Sequence, residues 1–70
     1  MNHIYRKAFD HEFEAAETSK GFHRLPGIDG RHIVETSIKS VDGKYWVYVT
    51  LMGDVDTEQL QAATGFEIVH

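Results

Sequence analysis

The sequence predicts a single α+β domain, and three observations carry the prediction. Asp42-Gly43 joins two β-rich runs, His32–Val41 and Lys44–Met52. Residues 3–19 hold apolar side chains at helical spacing. A capped segment at 57–64 ends at Gly65 and leads into Phe66-Glu67-Ile68-Val69. The expected order is an N-terminal helix, a long loop, a β-hairpin (32–52), a short helix (57–64) and a closing strand (66–69), in a small three-stranded sheet.

The first element rests on Ile4, Ala8, Phe9, Phe13 and Ala16, which trace one helical face. Asn2 is the expected N-cap, Arg6 and Asp10 an i,i+4 ion pair, and Gly21 the stop after Lys20. One feature speaks against a helix from the start: His3-Ile4-Tyr5-Arg6 also reads as a short strand. Residues 21–31 contain Pro26-Gly27 and Asp29-Gly30, turn dipeptides that mark a loop.

The hairpin is the best-specified element. Asp-Gly suits a type I′ turn, whose central residues both need positive φ. A two-residue turn sets Val41 opposite Lys44 and fixes every pair beyond it. Ile38 then meets Val47, Thr36 meets Val49 and Val34 meets Leu51 on one face. Lys39 with Trp46, Ser37 with Tyr48, Glu35 with Thr50 and Ile33 with Met52 form the other. A slip of one residue would scatter the aliphatic set over both faces. For the second helix, Asp56 is the N-cap with Gln59 three residues on, Val55 and Leu60 the staple, and Gly65 the C′ residue. The strand after it should run parallel to the second hairpin strand.

Seventy residues make one domain, 1–70. A chain of this size buries only about 60% of its unfolded surface. The expected core is Ile4, Phe9, Phe13, Phe22, Leu25, Val34, Ile38, Val47, Val49, Leu51, Leu60, Phe66 and Ile68. With no cysteine, neither a disulfide nor a Cys-based zinc site can reinforce it. The remaining reinforcements are self-association, a partner, or a His/carboxylate metal site. No apolar run reaches the roughly 18 residues of a membrane span, and no signal-like stretch opens the chain, so the expectation is cytoplasmic. Eleven acids against seven Lys and Arg give a formal charge of −4, which disfavours direct nucleic-acid binding.

Chemical motifs are sparse. His11-Glu12-Phe13-Glu14-Ala15 resembles a zincin helix, but the second histidine is replaced by Ala15. His23, His32 and Asp29 flank the loop and are the weak candidates for a metal or small-ligand site. The acids at 12, 14, 17, 54, 56 and 58 read as solvated faces or caps rather than an acid–base pair. No serine has a nucleophile-elbow context and no glycine pattern cradles a phosphate. An enzyme is therefore not expected, and neither is a cofactor.

Surfaces remain. Trp46, Tyr48, Lys39, Met52 and Ile33 share the non-aliphatic hairpin face, and Trp and Tyr are enriched among binding hot spots. The alternative is that the N-terminal helix covers this face, burying Trp46 as core with Lys39 over its ring. Glu14, Glu17 and Asp54 belong to an acidic surface that would steer a basic partner. The leading expectation is a non-enzymatic protein–protein interaction module: a homodimer, or an accessory or inhibitor protein of a larger machine. An inhibitor encoded by a mobile element and acting on a nucleic-acid-binding host complex suits this size and charge. The alternatives are the His-centred ligand binder and a weak nucleic-acid contact domain using Arg6, Lys7, Lys20, Arg24 and Arg31.

Overall fold

The computed structural model describes residues 2–22, 33–53 and 56–69. Its elements run β1 (Asn2–Phe9), α1 (Glu12–Gly21), β2 (Ile33–Val41), β3 (Lys44–Met52), α2 (Thr57–Thr64) and β4 (Glu67–Val69). They form one antiparallel four-stranded sheet in the order β2-β3-β1-β4. The α+β class is as expected, and the topology is the βαββαβ, or split β-α-β, arrangement. The expected three-stranded sheet is corrected to four strands by β1.

The N-terminus carries the main correction: the helix expected over 3–19 is a strand followed by a shorter helix. Tyr5 and Phe9 alternate with Ile4 and Ala8 at period two, and the long partner strand β3 supplies the ladder that makes this reading win. Asn2 is therefore a strand residue paired with Met52 rather than a cap. Arg6 pairs with Glu67 and Asp10 with Lys44, in place of the expected Arg6–Asp10 pair. The helix starts at Glu12 after an extended His11, and continues through Gly21 into a right-handed Phe22.

The hairpin register is as expected from Val41–Lys44 out to Glu35–Thr50, and the turn has φ of 51° at Asp42 and 77° at Gly43. Beyond it a β-bulge absorbs Val34, so that Ile33 rather than Val34 opposes Leu51. The expected Val34–Leu51 and Ile33–Met52 pairs are thereby replaced, and Val34 is exposed. The last strand runs in the direction of β3, as expected, but β1 lies between them.

Both helices pack on one side of the sheet. Ala15 and Phe22 from α1 and its C-cap, Leu60 from α2 and Phe66 after it meet Tyr5, Val47, Val49 and Leu51 in a single core. The Phe22 and Phe66 rings meet edge-on with centroids 5.1 Å apart. Tyr5, buried completely, bonds through its hydroxyl to Thr57 Oγ1 at 3.1 Å, tying β1 to the first turn of α2. Tyr5 and Ala15 were not among the expected core residues, whereas Phe13, Ile4 and Ile38, which were, are exposed. Phe13 is 74% exposed because the helix begins three residues after β1 ends, which sets its phase by Ala15. Leu25 and Val55 lie outside the described residues.

Lys7 points to the helix side, an unusual place for a cation. Its ammonium donates to the Thr64 carbonyl at 3.2 Å, at the C-terminal end of α2 where the helix dipole favours positive charge. The α2 caps are as expected: Asp56 Oδ1 accepts from the Gln59 N–H, and Gly65, at φ 77°, donates its N–H to Gln61. A Cβ at Gly65 would also stand 3.1 Å from Lys7 Nζ, but that is the movable end of a long side chain. The backbone term therefore dominates.

Gly65→Ala should cost about 1–2 kcal/mol, the penalty for a left-handed non-glycine residue. Gly21→Ala, in the last turn of α1 with nothing within 4 Å of an added Cβ, should instead gain up to about 1 kcal/mol. Urea unfolding of the two variants beside the native chain measures both shifts.

Candidate functional site: the open face of the sheet

Strand alternation divides β3 cleanly. Tyr45, Val47, Val49 and Leu51 face the helices, while Trp46, Tyr48, Thr50 and Met52 face the other way. The cross-strand register brings Ile4, Arg6 and Ala8 of β1 onto that second face opposite Thr50, Tyr48 and Trp46. Glu35, Ser37 and Lys39 come from β2, and Glu67 and Val69 from β4. Among the described residues neither helix covers this face. Trp46 and Tyr48 are half-buried by their neighbours in the sheet, and Ile4 and Met52 remain exposed.

Arg6 is the centre of the face. Its Nε donates to Glu67 Oε1 at 2.8 Å, and its guanidinium carbon stands 4.8 Å from the centroid of the Trp46 ring. The bond to Glu67 and, secondarily, the Tyr48 phenol raise its pKa further above the ordinary arginine value, so the charge is permanent. Lys39 Nζ lies 5.2 Å from the Tyr48 ring. Each aromatic ring thus carries a cation, an arrangement worth about 0.5–1 kcal/mol at exposed sites. The result is a firm mixed surface of aromatic, aliphatic and cationic groups.

The other sequence candidates fall elsewhere. Ile33 packs against the core on the helix side, moved there by the bulge. Glu14 and Glu17 are exposed on α1, in the layer opposite the aromatic face. Asp54, His23, His32, Asp29, Arg24 and Arg31 lie outside the described residues. Arg6 and Lys7, neighbours in sequence, project to opposite faces of β1, and Lys20 stands exposed in the last turn of α1. These three do not form one basic patch. Among the described residues no cluster of three His, Asp or Glu side chains is placed to hold a metal ion, and no helix is long and apolar enough to cross a membrane. Ala15, the residue that breaks the zincin-like motif, is fully buried in the core.

Sequence reasoning missed Arg6 as part of the aromatic face, because a helix at 3–19 separates it from β3. The period-two pattern of Ile4, Arg6 and Ala8 against Tyr5, Lys7 and Phe9 was the available signal.

At the end of this sheet Lys44 Nζ donates to Asp10 Oδ1, and the hydrogen bond with its charge holds the Asp10 carboxyl below the ordinary aspartate value. A depressed folded-state pKa stabilises the fold above the unfolded value, and that contribution is lost as pH falls through the folded one. An NMR titration should therefore place the Asp10 midpoint below that of an unstructured aspartate, and Lys44→Met should return it. Asp10→Asn should lose less stability on acidification than the native chain.

Comparison with family models, curated proteins and solved structures found no significant match to this chain.

Proposed function

We propose that this chain is a non-enzymatic protein-interaction module, an accessory or inhibitor protein that grips a larger partner with the open face of its sheet. The observation that carries this reading is the pair Trp46 and Tyr48, half-buried on a face that no described helix covers, with the exposed Ile4 and Met52 beside them. Aromatic and methionine side chains supply much of the contact energy at protein interfaces, and arginine is enriched there with them. A rigid sheet loses little entropy on docking. The acids of α1, Glu12, Glu14 and Glu17, form a separate exposed surface in the opposite layer, suited to steering a basic partner rather than to gripping it.

A second reading has one observation in its favour. Four-stranded sheets of this topology can stack nucleic-acid bases on aromatic side chains of their open face, and Arg6 stands beside the aromatics here. Three features favour a protein instead. The Trp46 and Tyr48 rings already carry Arg6 and Lys39, Glu67 neutralises Arg6, and the chain as a whole is acidic.

Affinity capture from host lysate, repeated with variants, tests the proposal. Trp46→Ala and Tyr48→Ala should each weaken recovery of the captured protein about tenfold or more, the scale of a hot-spot truncation, with circular dichroism preserved. Glu14→Gln should leave bound protein at equilibrium nearly unchanged. Capture that survives both aromatic substitutions would refute the sheet face as the interface. Capture that disappears on nuclease treatment would favour the second reading.

A further inference from the structure

The two edges of the sheet are treated differently. β4 spans only Glu67–Val69, and the Gln61 side chain of α2 accepts the Ile68 N–H at 3.2 Å, covering the edge. β2 is nine residues long and, among the described residues, has a strand neighbour on one side only. A two-residue turn makes Val41–Lys44 a hydrogen-bonded pair, and such pairs alternate along the ladder. Lys39, Ser37 and Glu35 therefore direct their backbone groups to β3. Ser40, Ile38 and Thr36 direct theirs outward, toward an edge that no described strand occupies.

We propose that this edge pairs with the same edge of a second copy of the chain, antiparallel about a two-fold axis at Ser37. Strand β2 is self-complementary in that register. Thr36 of one copy meets Ile38 of the other, and both present outward N–H and C=O groups, so they exchange ladder hydrogen bonds. The symmetry repeats the exchange. Glu35 of each copy comes to lie opposite Lys39 of the other, on the outer face and in a non-hydrogen-bonded pair, where side chains approach most closely. Ile38, 41% exposed in the single chain, comes within diagonal reach of its own symmetry mate on the helix side. Axes at Thr36 or Ile38 set no opposite charges against each other, since Glu35 then faces Ser37 or Val41 and Lys39 faces Ile33 or Ser37. Charges on an edge strand often repel a second strand; here their signs admit one register. The bulge at Val34 bounds the paired segment.

The dimer extends the sheet to β4-β1-β3-β2-β2-β3-β1-β4 and brings two copies of the Trp46–Tyr48 face onto one continuous surface. It does not depend on what that surface binds.

Analytical ultracentrifugation across micromolar to millimolar concentrations of the whole chain tests the proposal. The native chain should show a reversible monomer–dimer equilibrium. Glu35→Lys and Lys39→Glu each set like charges across the axis twice, and each should weaken dimerisation about tenfold or more. Mixing E35K with K39E restores opposite charges at both positions, and the mixture should form a heterodimer although neither variant dimerises well alone. Trp46→Ala should dimerise as the native chain does. A native chain monomeric throughout would overturn the proposal, as would an equimolar mixture no more associated than its components. Dimerisation lost in Trp46→Ala and kept in both charge variants would place the contact on the face instead.

Discussion

Everything in this fold is registered against β3. It lies between β2 and β1, and its side chains alternate between Tyr45, Val47, Val49 and Leu51 toward the helices and Trp46, Tyr48, Thr50 and Met52 away from them. The Asp42-Gly43 turn fixes one neighbour to it, and the eight-residue ladder with β1 fixes the other. Since strand alternation has period two, a slip of one residue in either register would turn the slipped strand over, carrying Tyr5 and Phe9 of β1, or Ile38 of β2, away from the helix side. The division into a buried side and an open side follows from that constraint.

With β3 set, the helices need only close one side. Tyr5 sits across from Val49, and its hydroxyl reaches α2 through Thr57, so one side chain joins the sheet, the core and the second helix. Losing such a bond in a small domain matters: a hydrogen bond contributes about 0.5–1.5 kcal/mol net, against a total stability near 5–15 kcal/mol for typical proteins. Lys7 adds a second tie by spanning the core edge to the Thr64 carbonyl.

The turn, the hairpin register out to Glu35 and the whole of α2 with its caps were legible in the sequence, because each is specified by residues close in the chain. Asp42-Gly43 needs no distant partner to form its turn, and Asp56 caps through Gln59 three residues on. The N-terminal strand was not legible in the same way. Ile4, Ala8 and Phe9 satisfy a helical stripe as well as a strand, and the choice is made by β3, some forty residues away in the chain. That one misreading also hid the fourth strand, the place of Arg6 beside Trp46, and the solvent exposure of Phe13. The bulge at Val34 left no local mark such as a glycine. That Trp46 and Tyr48 share the face opposite Val47 and Val49 was readable from the hairpin alone; whether a helix covers that face was not, because it depends on where α1 and α2 pack.

The central claim is that the sheet has a dry side and an open side, with Trp46 and Tyr48 on the open one. Broadening of ring signals by a soluble paramagnetic agent in an NMR spectrum measures this directly. The account predicts strong attenuation of the Trp46 and Tyr48 rings, with Tyr5, Phe22 and Phe66 spared. A Trp46 indole as protected as the Tyr5 ring would contradict it.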